Sequence, residues 1–246
     1  GNDSFSFYEA DIRDAETMHN VAEGTDYVFH QAAASSVPRS VEDPTSTTDA
    51  NCTGTATVLE AARHADVDTV VVASSSSVYG STDQLPKVES MTEQPESPYA
   101  LSKYYTEKLA LQASDLYDID TAALRYFNIF GPRQDPNGEY AAVIPKFISL
   151  MLEGEHPIIY GDGEQSRDFT YIDNAIEANI LAAEGDVTGE AFNVGCGGRV
   201  TINELVEVLN EQLETDIDPI HDDPRPGDVR HSHADISKAQ ELLGYD

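Results

Sequence analysis

Thr69-Val-Val-Val-Ala-Ser-Ser-Ser-Ser-Val-Tyr-Gly80 decides how this chain folds. Its first half is an unbroken, β-branched apolar run of strand length, without the alternation of a half-solvated strand. Such runs belong to parallel sheets covered on both faces. Its second half is a row of hydroxyls. At the carboxyl end of a parallel strand, a polar row faces the crevice in which open α/β sheets hold their ligands. Asp26-Tyr-Val-Phe-His30 and Asp120-Thr-Ala-Ala-Leu-Arg-Tyr126 have the same strand character. Between them, Thr47 to His64 and Pro98 to Leu116 carry apolar residues at helical spacing. Strands separated by helices predict an α/β fold built on a doubly wound parallel sheet. From about Gly131 the texture changes to shorter elements among Gly- and Pro-rich loops such as Gly161-Asp-Gly163 and Gly195-Cys-Gly-Gly198. Within that half, Ile202 to Leu213 reads as an amphipathic helix started by Thr201 as cap, with Glu204 closing a capping box.

Composition narrows the function classes. Of 246 residues, 45 are acidic and 14 basic, a net charge of −31. The acids are dispersed among periodic apolar segments, so disorder is not implied. A self-repelling surface of this kind is tolerable where molar salt cuts the Debye length to about 3 Å. The expectation is a halophile's protein that unfolds at low salt. The same field excludes nucleic acid and anionic membranes as partners. No apolar run approaches the roughly 18 residues of a membrane span, and Gly1-Asn-Asp-Ser4 carries no mark of a secretion signal, so a cytoplasmic location is expected. Cys52 and Cys196 supply neither a disulfide framework nor a metal set, and read as buried small residues. His231-Ser-His233 has no further ligand near it, so no metal is expected.

Chemistry enters with Tyr99-Ala-Leu-Ser-Lys103, at the start of a predicted helix. Four residues apart, the phenol and the ammonium lie one turn apart on one face. An ammonium beside a phenol favours the phenolate and lowers its pKa from about 10, giving a base for an alcohol. Alone, such a pair is common on solvated helices. Preceded by the hydroxyl row of Ala73-Ser-Ser-Ser-Ser-Val-Tyr-Gly80, it is far more specific.

A strand followed by Ser-Ser-x-x-Val-Tyr-Gly and then Tyr-x-x-x-Lys resembles the extended short-chain dehydrogenases/reductases of the NAD-dependent epimerase/dehydratase family, which act on nucleotide sugars. The likeness runs essentially from end to end. It implies a partial NAD-binding Rossmann domain over 1–130. A smaller α+β nucleotide-sugar-binding lobe would occupy mainly 131–246, with about 166–195 returning to the first domain. NAD would lie along Asp11, Ile12, Gln31, Ala32, Ala33, Asn51, Ala73, Ser74, Tyr99, Lys103, Tyr126 and Phe127. Catalysis would fall to Ser75, Ser76, Tyr99 and Lys103, and the UDP-sugar to Ser36, Ser75, Asn128, Val143, Tyr160, Arg167, Arg225, Asp228 and Ser232. A homodimer through helices near 47–64 and 98–117 is likewise implied. The family's opening strand and Gly-x-x-Gly-x-x-Gly loop do not occur here, so the sequence is expected to be partial, without its N-terminal strands.

Within the family, the residues after the catalytic hydroxyl separate the chemistries. Dehydratases resemble Thr-Asp-Glu at this place, and decarboxylases of nucleotide-linked uronic acids tend to carry Glu. Ser75-Ser76-Ser77 has no carboxyl. The resemblance therefore implies NAD-dependent 4-epimerisation of a UDP-hexose by reversible hydride transfer through a 4-keto intermediate. Gln31 to Arg39 resembles enzymes for UDP-N-acetylhexosamines, and Ser232 stands where glucose-restricted enzymes carry a bulky Tyr. UDP-glucose or UDP-N-acetylglucosamine is expected. The alternatives are a UDP-glucuronate 4-epimerase, another nucleotide-sugar dehydratase or decarboxylase, and a non-catalytic nucleotide-binding fragment.

Overall fold

The computed structural model describes residues 5–137, 141–224 and 229–246. In chain order its first half holds α1 (Ala15–Ala22), β1 (Tyr27–His30), α2 (Val37–Glu42), α3 (Pro44–Thr48), α4 (Gly54–His64), β2 (Thr69–Ser75), α5 (Pro98–Leu116) and β3 (Asp120–Tyr126). The second half holds β4 (Asn128–Phe130), α6 (Val143–Leu152), β5 (Ile158–Tyr160), β6 (Ser166–Arg167), β7 (Phe169–Tyr171), α7 (Ile172–Glu184), β8 (Glu190–Val194), β9 (Val200–Thr201), α8 (Ile202–Leu213), β10 (Ile220–Asp222) and α9 (Ser237–Leu243).

β1, β2, β3 and β8 pair in that order, all parallel. The unbroken apolar runs are explained by what covers them. Val70 and Val72 of β2 and Ala123 of β3 face Leu59 and Ala62 of α4 and Ala110 and Ala113 of α5. Val71, Ala122, Leu124 and Phe192 face the other way, against Ala178 and Ala182 of α7 and Ala239 and Leu243 of α9. Both faces are dry, as a Rossmann-like parallel sheet requires. Every strand of this sheet points its carboxyl end to one edge, and that edge carries the site.

The second core joins Ile144, Phe147 and Met151 of α6 and Ile159 of β5 to Ile202, Leu205, Val206 and Leu209 of α8. Two-stranded ribbons surround it: β5 with β10, β4 with β7, and β6 with β9. The capping box expected at α8 is present: Thr201 Oγ1 accepts from Glu204 N at 3.1 Å, and Glu204 Oε2 accepts from Thr201 N at 2.7 Å. Thr201→Ala is expected to lower stability by about 1 kcal/mol with an unchanged urea m-value, measured by denaturant unfolding.

Two expectations are corrected. The helix read from Thr47 to His64 is interrupted: α3 gives way to a π turn, Asp49–Thr53, before α4 begins. Asn51 causes the widening. Its buried side chain accepts from Ala34 N at 2.7 Å and donates to Ser102 Oγ at 2.8 Å, pulling the backbone inward. The cysteines are not buried: Cys52 is half-buried and Cys196 is exposed. Cys196 turns its backbone N–H inward to Asp168 Oδ1, at 2.8 Å, which leaves the thiol outside. Among the described residues, no helix is long and apolar enough to cross a membrane.

Candidate active site

β2 ends at Ser75, whose extended backbone lets its hydroxyl cap a short 3₁₀ turn, Ser76–Tyr79. Ser75 Oγ accepts from Ser77 N at 3.2 Å and from Ser77 Oγ at 2.9 Å. The turn closes on Gly80 at φ 65°, where a Cβ would stand 2.2 Å from Gln94 O, so no other residue fits. α5 begins beside it. Ser97 caps the helix by accepting from Ala100 N at 3.1 Å, and Tyr99 N donates to Ser40 Oγ at 3.1 Å. This fixes the first turn so that the Tyr99 phenol hydrogen-bonds Ser75. One turn on, buried Lys103 donates from Nζ to Ala73 O at 2.9 Å. The hydroxyl row and the Tyr-Lys pair thus converge on one point.

The electrostatics correct the expectation that Lys103 makes Tyr99 acidic. Burial pushes the phenol up, and only the Ser75 hydrogen bond pulls the other way. Lys103 is itself lowered to about 8, because burial opposes its charge. In the free chain the phenol therefore keeps its proton at neutral pH.

Beneath the serines lies a buried ionic network that sequence reasoning missed. Ser74 Oγ donates to Glu107 Oε2 at 2.7 Å. Arg125 donates through Nε to Glu107 Oε2 at 2.9 Å and through Nη2 to Glu107 Oε1 at 2.7 Å. It also donates to Tyr79 Oη at 2.8 Å and to Glu93 Oε1 at 2.6 Å, and Tyr79 donates to Asn193 Oδ1 at 2.6 Å. Burial alone raises the Glu107 carboxyl, but Arg125 and Ser74 bring it below the ordinary value of 4.5. The available signal was an Arg at the end of the apolar run Ala122-Ala-Leu-Arg125, which needs a buried counter-charge, and a Glu one turn past Lys103 on the helix that covers the strand.

Of the residues expected along the cofactor, Ile12 packs so tightly on Gly54 that a Cβ there would lie 2.3 Å from Ile12 Cδ1. Asp11 is held by Arg13, which also reaches Asp49. Ala32 and Ala33 follow β1 with side chains too small to close the edge, and Asn51 holds the next residue, Ala34, by both N–H and C=O. Gln31, Tyr126 and Asn179 form a triad: Tyr126 Oη donates to Gln31 Oε1 at 3.0 Å, and Asn179 Nδ2 donates to Tyr126 Oη at 2.6 Å. Two positions differ from expectation. The Ser74 hydroxyl turns away to Glu107, and the Phe127 side chain packs in a core with Val78, Tyr79 and Ala234.

The residues expected at the substrate are distributed differently. Ser36 caps α2, accepting from Arg39 N at 3.2 Å, and Ser76 opens the 3₁₀ turn. Asn128 N donates to Asp168 O at 3.1 Å, while Val143 starts α6 and packs on the second core. Arg167 donates to Ser166 O at 2.9 Å and to Arg230 O at 3.3 Å, and Ser232 N donates to Ser166 O at 3.0 Å, so Arg167 and Ser232 share one strand crossing. Tyr160 borders a cavity of about 490 Å³ with Gly161, Asp162, Gln165, Asp222 and Arg230. Arg225 and Asp228 lie outside the described residues. At the junction of β6 and β7, fully buried Asp168 accepts from Cys196 N at 2.8 Å and from Ala234 N at 3.1 Å, which ties three segments together.

These residues fit the ribose and nicotinamide end of a dinucleotide. Buried Lys103 has only Ala73 O as hydrogen-bond partner among the described residues, which leaves ammonium donors for hydroxyls, and the small Ala32 and Ala33 let a ligand approach the backbone. A profile of the NAD dependent epimerase/dehydratase family matches residues 1–195. The fold superimposes with a TM-score of 0.97 and 43% identity on a UDP-N-acetylglucosamine 4-epimerase from Methanobrevibacter ruminantium in complex with UDP-N-acetylmuramic acid, covering 100% of this chain and 78% of that one. For the UDP-glucose 4-epimerase of Thermotoga maritima with UDP-glucose, the TM-score is 0.95 at 38% identity, over 100% and 80% of the two chains. A UDP-glucose 4-epimerase of Mycolicibacterium smegmatis is 39% identical over 246 residues, 99% of this chain and 78% of that protein. Fold, edge-facing site and sequence agree: the chain belongs to the NAD dependent epimerase/dehydratase family, and its cofactor is NAD.

Proposed function

We propose that the protein is a UDP-hexose 4-epimerase, with UDP-glucose or UDP-N-acetylglucosamine as substrate. The observation that carries this reading is the hydrogen bond between Ser75 and Tyr99, with Lys103 at the same strand end. A sugar hydroxyl inserted between the two would accept from Ser75 Oγ and give its proton to Tyr99 Oη. Ser77 Oγ donates to Ser75 Oγ, so the Ser75 proton is aimed outward, toward the oxygen on which charge develops. When bound, NAD supplies the hydride acceptor and a positive ring that favours the ionised phenol. Lys103, clamped to Ala73 O, keeps an ammonium at the same strand end, with donors left for cofactor hydroxyls. Arg167, with Arg225, suits a diphosphate, for which a guanidinium fork is better shaped than an ammonium.

Neither Ser76 nor Ser77 offers a carboxyl to expel water or to assist loss of carbon dioxide, which favours epimerisation over dehydration and decarboxylation. Ser232 is small and half-buried, which favours room for an N-acetyl group. A homodimer through α4 and α5 and a high-salt cytoplasm belong to this reading; the net charge of −31 supports the second. Incubating the protein with NAD and either UDP-sugar is expected to give a product of unchanged mass and inverted C4 configuration, read by mass spectrometry and proton NMR. A product lighter by water or carbon dioxide, or no product with either sugar, refutes it.

A further inference from the structure

We propose that the Ser74–Glu107 hydrogen bond is a positioning device that fixes the reach of Ser75 to Tyr99, with Glu107 as the positioning residue. The inference rests on the roles proposed above for Ser75 and Tyr99. α5 presents two residues one turn apart to the end of β2. Lys103 holds Ala73 O at 2.9 Å, and Glu107 holds Ser74 Oγ at 2.7 Å. The two strand residues immediately ahead of Ser75 are therefore tied to consecutive turns of the helix whose first turn carries Tyr99.

What makes this tie rigid is the rest of the network. Glu107 is fully buried, and Arg125 engages both of its oxygens in a fork, so the carboxylate has no second orientation. Arg125 is held in turn by Tyr79, from the 3₁₀ turn that follows Ser75, and Tyr79 by Asn193 of β8. Ser75 is thus bracketed: the residue before it is pinned by Glu107, and the turn after it by the same guanidinium. A filler of the core would need no hydroxyl at position 74, where the same strand has Val72 and Ala73 just before. Displacement of a reacting group by about 1 Å lowers rates by roughly a hundredfold, so a tether here acts on turnover more than on binding.

Ser74→Ala tests the tether, because it removes that bond and keeps the Glu107–Arg125 pair. The probe is the intact chain labelled with ¹³Cζ-tyrosine, with the Tyr99 signal assigned by its loss in Tyr99→Phe. Turnover of UDP-glucose and UDP-N-acetylglucosamine with added NAD is measured in parallel. The Ser75 bond favours the ionised phenol, so loosening it is expected to move the Tyr99 titration midpoint upward. Where turnover is measured, kcat is expected to fall about tenfold with KM within about twofold, the split that misplacement of a reacting group rather than weaker binding produces. An unmoved midpoint, or a loss carried by KM alone, overturns the proposal. If the wild-type chain turns over neither sugar, the proposed function fails, and the midpoint still decides the tether.

Discussion

Tyr99→Phe is expected to lower kcat by about a thousandfold while leaving the Kd for UDP within about twofold of wild type. Among the described residues the phenol oxygen is the titratable group that hydrogen-bonds Ser75, and removing it deletes the proton acceptor while keeping the ring. Single-turnover kinetics separates the two quantities. Equal loss of binding and turnover would move Tyr99 from the chemistry to the binding of substrate. Because burial holds the free phenol above its ordinary value, the acidic limb of the wild-type pH profile is expected to disappear in the variant's residual activity.

Arg125→Met is expected to destabilise the fold by about 3 kcal/mol, because it takes the guanidinium fork from the fully buried Glu107 carboxylate and leaves it the half-exposed Lys108 ammonium at 3.3 Å and the Ser74 hydroxyl. That is a large part of a typical domain's stability, and urea unfolding reads it directly. Adding Glu107→Leu to Arg125→Met is expected to recover more than half of the loss, since the uncompensated charge is then gone. The sign with pH follows from the lowered Glu107 pKa. The pair's contribution is complete above the ordinary glutamate value of 4.5, and it is lost as pH falls from there through the folded value. The gap between wild type and Arg125→Met therefore narrows in acid. A gap that stays constant down to acid unfolding would refute the assignment.

The parts of this fold that the sequence displayed were those governed by repetition. Val70-Val-Val72 and Ala122-Ala-Leu124 are apolar on both faces because helices cover both faces, and a period is readable without coordinates. The capping box at Thr201 and Glu204 is local, so it was legible as well. Long-range polar contacts are not periodic. Asn51 reaches Ala34 and Ser102, and it turns an expected helix into a π turn. Glu107 of α5 meets Arg125 of β3, and no spacing rule predicts such a meeting. In the free chain the Tyr99 phenol stands above its ordinary value for a related reason: helical spacing set it near an ammonium, but spacing carries no information on burial, and burial is the largest cause of the shift.

Asp168 has a mechanical consequence. One carboxylate gathers the N–H groups of Cys196 and Ala234, while its own carbonyl takes Asn128 N. Gly195 lets the strands close on it: a Cβ there would stand 2.9 Å from Oδ2. Bonds to a charged acceptor contribute about 1.5–3 kcal/mol each, so drawing these segments apart would break both carboxylate bonds at once. The knot at Asp168 is therefore a rivet rather than a pivot: the start of β4, the loop after β8 and the stretch ahead of α9 shift together or not at all.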